Sequence, residues 1–240
     1  MTYDWQAALA MVGTLVGLTV VGRQLVFRVP AFAKMRELNL AADHEKLADE
    51  PFKTACKASN RIGLYTNLAF YLSVLPFCVS LAPLPVWRYL VDIVAVLFLF
   101  DFFYYLTHRF LFHGKPLLRV HSLHHRALTP THIDAFYVHP LETFIGLCLF
   151  LFSIPLVALA TGAPLNAFSM AIATLLFTQW NTLNHTFVDL PYFPFRFVDR
   201  ITSVHAAHHV NMRKGNYATI TMLYDKLFGT YEEPVSRSTP

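Results

Sequence analysis

Five apolar runs, residues 5–22, 62–83, 86–106, 141–160 and 167–183, set the terms on which this chain can fold. At a rise of 1.5 Å per residue each covers about 25 to 33 Å as a helix, close to the hydrocarbon thickness of a bilayer. Such runs call for lipid rather than water. With 55% hydrophobic and only 14% charged residues in 240, an ordinary soluble enzyme and a disordered chain are both poor matches. A disulfide scaffold is excluded too, because three cysteines cannot pair evenly and Cys78 and Cys148 lie inside apolar runs. The first run resembles a secretory signal in length. It has no basic segment before it, however, and Arg23, Arg28, Lys34 and Arg36 follow it, as in a retained anchor.

Lys and Arg divide unevenly between the connections. Residues 23–61 hold eight, 107–140 hold four and the stretch after His185 holds six, whereas Arg88 stands alone on the other side. By the positive-inside rule the N-terminus is outside, and the C-terminus with the basic connections is cytoplasmic. The net charge of +4 follows from this arrangement and points to no nucleic-acid partner. The expected fold is an all-α integral membrane bundle of about five transmembrane helices. Two tight hairpins close at Pro83-Leu84-Pro85 and at Thr161-Gly162-Ala163-Pro164, and a histidine-rich helical cap lies in the cytoplasm. Residues 1–61 form an anchor and an amphipathic cytoplasmic connection, 62–233 a catalytic domain and 234–240 a polar tail. Gly13 and Gly17 form a GxxxG pair, a spacing that also arises often by chance in apolar runs.

Twelve histidines carry the chemical signal. His108 and His113 stand at the cytoplasmic end of the third run, His121, His124 and His125 form HxxHH, His185 ends the fifth run, and His205, His208 and His209 repeat HxxHH. On a helix, positions i, i+3 and i+4 face one way, so each HxxHH presents three imidazoles together. His108 and His113 are about 140° apart on an ideal helix, so they need a bend or must serve different ions. Neutral imidazole suits zinc, iron, copper and nickel, and nine ligands exceed one coordination sphere, which implies two ions. His44, His132 and His139 stand apart and are read first as surface or hydrogen-bonded residues. His44-Glu45 opens an HExxH-like pattern, but Ala48 occupies the second histidine position.

The order HxxxxH, HxxHH, single His, HxxHH, together with the Asp101-to-His108 spacing, His139-Pro-Leu-Glu142 and Asn216-Tyr217, resembles the fatty acid hydroxylase and sterol desaturase superfamily over roughly residues 62–230. The resemblance implies a membrane-bound di-iron oxygenase that uses O2 to hydroxylate or desaturate a lipid such as a sterol, fatty acyl chain or sphingolipid. It implies His108, His113, His121, His124, His125, His185, His205, His208 and His209 as ligands of two iron ions, with His139 a further ligand or a supporting residue. No cytochrome b5 domain is fused within the matched region. No GxGxxG, P-loop or CxxC occurs either, so electrons are expected from a separate donor of the cytochrome b5, ferredoxin or reductase type.

Unactivated C–H bonds require a redox metal with O2, in keeping with that resemblance. Ligand histidines commonly donate their second N–H to a carboxylate or carbonyl. Asp101, seven residues before His108, is the first candidate acceptor, followed by Glu142, Asp189 and Asp225. The competing reading is a histidine-rich metal or haem membrane protein, a transporter or electron carrier, without oxygenase activity. A transporter would place ligands near mid-membrane and a haem protein single histidines on facing helices, whereas here triplets sit at run ends. The membrane would be the bacterial inner membrane or the endoplasmic reticulum.

Overall fold

The computed structural model describes residues 2–234, so residues 235–240 of the expected polar tail lie outside the described part. The chain is mostly helical. In order it forms α1 (Trp5–Val26), α2 (Pro30–Ala48), α3 (Glu50–Ser73), α4 (Leu75–Cys78), β1 (Val79–Ser80), α5 (Val86–Thr107), a π-helical turn (His108–Phe112) and α6 (Leu118–His121). Two 3-10 turns (His124–Arg126 and His132–Phe136) lead into α7 (Pro140–Thr161), β2 (Leu165–Asn166), α8 (Ala167–His185), α9 (Arg196–His209) and α10 (Leu223–Leu227).

Among the described residues three helical stretches, Trp5–Val26, Val86–Phe112 and Pro140–Thr161, are long and apolar enough to cross a membrane. Helix α8 coincides with the fifth apolar run but carries Thr178, Gln179, Asn181, Thr182 and Asn184 in its second half. The second run, expected as one span over 62–83, departs from expectation. Its helix starts earlier, at Glu50, and stops at Ser73. Pro76 has no N–H to give the Leu72 carbonyl four residues back, so a continuous helix cannot pass through it. Tyr3 Oη–H donates to that carbonyl at 3.1 Å instead, and the Asp4 N–H donates to the Pro76 carbonyl at 2.8 Å. The break in α3 thus becomes the docking point for the start of α1.

The expected tight hairpins are not formed as such: α3 and α5, and likewise α7 and α8, are not each other's main neighbours. The helices pack side by side in the order α3, α7, α5, α8, α1. Helix α5 wedges between α7 and α8 because Phe100 meets both Phe150 and Phe177 edge-on, at 5.7 and 4.9 Å between ring centres. Above that wedge Phe150 and Phe177 stack at 4.0 Å. One minor departure from an all-α fold is a two-residue parallel pairing, Val79 with Leu165 and Ser80 with Asn166, which ties the two connections together. Asn166 then caps α8 by accepting from the Phe168 N–H at 2.9 Å.

These contacts gather the start of α1, residues 72–86 and residues 161–166 at one end of the bundle. The start of α7 and the ends of α5 and α8 gather at the other, where α2, α6 and α9 cover them. Helix α1 is buried only at Ala7, Ala8 and Met11, with Leu15 packed against the same core, while other apolar side chains, among them Leu9, Val16 and Val20, face outward. Gly13 and Gly17 meet nothing within 4 Å, so the GxxxG pair mediates no helix contact among the described residues.

Candidate metal centre

Four segments deliver the histidines to one end of the bundle, and the first does so through an irregularity. After Thr107 the helix widens into a π turn, closed by the His113 N–H donating to the His108 carbonyl at 2.9 Å. An i to i+5 closure stacks residue i+5 over residue i. The bend that the five-residue spacing demands is therefore supplied by one wide turn, and His108 and His113 face the same way. A Cβ on Gly114 would stand 1.9 Å from the Phe110 carbonyl oxygen, so the chain can leave this turn only at a glycine.

The two HxxHH motifs are built differently. His205, His208 and His209 share the last turns of α9, as helical spacing predicts. The first motif does not lie on one helix: α6 ends at His121, and His124 and His125 begin a 3-10 turn. Both motifs also split between two groups. The ligand atoms of His108, His113, His121, His125 and His208 lie within 4.8 Å of one another, and those of His124, His185, His205 and His209 do likewise. The rings of His125 and His209 stack at 5.0 Å and join the groups. Of the nine, His113 alone is not fully buried.

In six of the nine rings the outward nitrogen fixes the tautomer. His108 Nδ1 donates to the Tyr217 carbonyl at 2.7 Å, His113 Nδ1 to Met212 at 2.8 Å, and His208 Nδ1 to Gly215 at 2.7 Å. In the second group His185 Nδ1 donates to the Asn181 carbonyl at 2.8 Å and His124 Nδ1 to Tyr137 at 3.3 Å. His121 Nδ1 donates to Glu142 Oε1 at 2.7 Å. A carbonyl oxygen only accepts, so the proton of each such neutral ring sits on Nδ1 and Nε2 presents a lone pair.

Those lone pairs face one another. Nε2 atoms approach at 3.1 Å between His108 and His121, 3.3 Å between His113 and His208, and 3.0 Å between His124 and His185. With no proton between them such contacts repel, and protonating the rings to relieve that is opposed by their surroundings. Burial, reinforced by neighbouring imidazoles, holds His205, His208 and His209 well below the ordinary histidine range and takes His124 down to about 3. A cation inside each group would remove the repulsion, and both groups could hold one. Neutral, buried, all-nitrogen donor sets, with six of the nine rings held through Nδ1, fit divalent transition metals.

The acidic residues sort differently from the sequence expectation. Asp101 touches no histidine. Its carboxylate accepts from the backbone N–H groups of Thr219, Ile220 and Thr221 and from the Thr221 hydroxyl, at 2.9 to 3.0 Å. Its helical face is the one expected, but three backbone donors of the C-terminal loop reach it first. Asp225 acts alike, accepting from the Tyr217 and Ala218 N–H groups at 2.8 Å. Both acids thus hold the loop whose carbonyls orient His108 and His208. Asn216, in the left-handed region at φ 63°, donates to the Val204 and Glu232 carbonyls and fastens that loop to α9. Among the described residues Glu142 is the one carboxylate bonded to a clustered ring, and Asp189 is exposed.

Of the remaining histidines, His44 and His132 are exposed. His139 belongs to neither group: its Nδ1 accepts from the Leu141 N–H at 3.1 Å and caps α7. The supports that sequence reasoning missed are mainly backbone carbonyls, which no side-chain pattern reveals.

A family model for fatty acid hydroxylase matches residues 93–230, which contain all nine clustered histidines. A putative methylsterol monooxygenase of Dictyostelium discoideum is 32% identical over 65% of this chain and 56% of its own length. Methylsterol monooxygenase 1 of Rattus norvegicus is 30% identical over 54% of this chain and 43% of its own. The very-long-chain aldehyde decarbonylase GL1-11 of Oryza sativa subsp. japonica is 33% identical over 63% of this chain and 56% of its own. The chain therefore spans about half the length of the curated relatives it matches. No solved structure matches. With the match covering more than half of the chain, and the full histidine pattern inside it, the chain belongs to the fatty acid hydroxylase family.

Proposed function

We propose that this chain is a membrane di-iron oxygenase that uses O2 and external electrons to oxidise a lipid. One observation carries the proposal: nine inward-facing imidazole nitrogens form a group of five and a group of four, and six of the nine rings are bonded to oxygen through Nδ1. His108, His113, His121, His125 and His208 would hold one iron ion, and His124, His185, His205 and His209 the other. Bound iron supplies the O2 activation that an unactivated C–H bond requires.

The chain's own residues supply the setting. Glu142 keeps the His121 proton on Nδ1 and increases the basicity of the ring's inner nitrogen. The carbonyls of Tyr217, Met212 and Gly215 fix the tautomers of His108, His113 and His208. Burial keeps bulk water from the centre. Hydroxylation is the favoured outcome, with desaturation as the competing one. A sterol, fatty acyl chain or sphingolipid is the class of substrate, in keeping with the methylsterol and long-chain names among the relatives. Electrons come from a separate protein of the cytochrome b5, ferredoxin or reductase type. No observation favours a transporter or electron carrier.

The same proposal includes five membrane crossings, an external N-terminus and a cytoplasmic centre. Eighteen of nineteen basic residues on one side, and the gathering of the histidines at one end of the bundle, support it. The test is to purify the full chain in detergent, measure bound iron, and add lipid, O2 and a reductant. Iron content with O2-dependent lipid oxidation is expected. A chain that binds metal yet consumes no O2 with any lipid class overturns the oxygenase reading.

A further inference from the structure

Helix α2 lies outside the segment matched by the family model, yet it carries a polar row on one face, Asn39 and Asp43 buried and Lys46 half-buried beside them. Burying such groups is costly unless each is bonded. Asn39 Oδ1 accepts from the Phe187 N–H at 2.9 Å and the His132 N–H at 3.2 Å, while its Nδ2 donates to the Phe187 carbonyl at 2.8 Å. Asp43 Oδ1 accepts from the Thr131 hydroxyl at 2.7 Å and the Ile133 N–H at 3.1 Å. Lys46 donates to the Thr129 carbonyl, the Thr131 hydroxyl and Asp134.

The destinations are selective. Phe187 is two residues beyond His185. Residues 131–136 lead to Tyr137, whose carbonyl accepts from His124. Both histidines belong to the group of four. Apolar contacts run the same way: Met35 packs with Val188 and Leu190, between His185 and α9. The group of five is held from elsewhere, by Glu142 and by the carbonyls of Met212, Gly215 and Tyr217 on the loop that Asp101 and Asp225 pin.

From this division we infer that α2 is the dedicated support of the four-histidine site, with Asn39 and Asp43 as its positioning residues. The inference rests on the reading that each group holds a metal ion. Its consequence is that the two sites can be separated by mutation at residues that touch neither ion. Losing the Asn39 bonds loosens the chain after His185, and losing the Asp43 bonds loosens the turn before Tyr137. Either change loosens one ring of the four-histidine site and none of the other.

The experiment uses the detergent-purified full chain, loaded separately with ferrous iron and with cobalt(II) and freed of excess metal. Metal per chain is counted and the visible spectrum of the cobalt form recorded. Asn39→Ala and Asp43→Ala are expected to fall from about two ions per chain to about one, with one of two cobalt spectral components lost and helical circular dichroism kept. Asp43→Asn keeps the Oδ1 acceptor and is expected to restore the second ion. Retention of both ions in the alanine variants, or loss of both together, overturns the inference, and so does an Asp43→Asn chain no better than Asp43→Ala. A wild-type chain that takes up neither metal overturns the metal reading beneath it, a result distinct from all of these.

Discussion

The His113 N–H reaches back to the His108 carbonyl at 2.9 Å, and this one backbone bond puts two ligand candidates five residues apart into the same group. A regular α-helix would direct them about 140° apart. The π turn is sustained by Gly114, which leaves no room for a Cβ against the Phe110 carbonyl. Gly114→Ala must open the turn and rotate His113 away from His121 and His208. The expected result is weakened metal binding in the five-histidine group and a stability loss of about 2 kcal/mol or more, from backbone strain. Metal content and thermal unfolding of the purified variant check it; a chain with wild-type values in both would show that the turn tolerates a side chain.

Glu142 supports His121 through a single 2.7 Å bond. Removing such an acceptor typically weakens metal affinity by about 10- to 100-fold. Glu142→Ala is expected to lose that much, measured by chelator competition, whereas Glu142→Gln keeps an oxygen acceptor and is expected to lose less. Equal losses in both variants would mean that the negative charge, and not the oriented oxygen, is what His121 needs.

How much of this was legible beforehand differs by level. The apolar runs marked the helices because a lipid-facing helix needs no alternation, and the histidine spacings marked the nine clustered residues because so many imidazoles in such a pattern have few other uses. Neighbour relations were not legible. Nothing in Pro83-Leu84-Pro85 reveals that Phe100 drives α5 between α7 and α8. Asp101 was placed on the correct face but given the wrong partner, because the donors it meets are backbone N–H groups 118 to 120 residues away. Asn39 and Asp43 lie in the stretch expected only as an amphipathic connection, because the partners that give them a role stand 148 and 88 residues away.

His139 and His121 make a direct contrast. His139 caps α7 from outside both groups, so His139→Ala is expected to keep both metal ions and to cost about 1 kcal/mol of stability, the usual effect of losing a helix cap. His121→Ala, like alanine at any of the other eight clustered positions, is expected to lower metal content and to abolish or nearly abolish activity. His44→Ala, at an exposed position, is expected to change neither. Full activity and metal content in His125→Ala or His209→Ala would count heavily against the ligand assignment.

The membrane orientation has its own check. Reporter fusions after Leu84 and after Pro164 are expected to report the outside, and fusions after His125 and at the C-terminus the inside. The contacts that bring residues 72–86 and 161–166 to one end of the bundle require the first two to agree. Opposite locations for the two HxxHH motifs would forbid a shared centre.

The outcome of the reaction is decided by how many C–H bonds the protein must place. Hydroxylation needs one bond held against the centre, whereas desaturation needs two neighbouring bonds presented in succession. Positioning is exacting, since a displacement of about 1 Å can alter a rate by about 100-fold. The simpler requirement favours an alcohol. Incubation of the full chain with its lipid substrate, a reductant and 18O2 is therefore expected to place label in the lipid product. An unlabelled alkene with label recovered only in water would reject hydroxylation and assign the chain to desaturation.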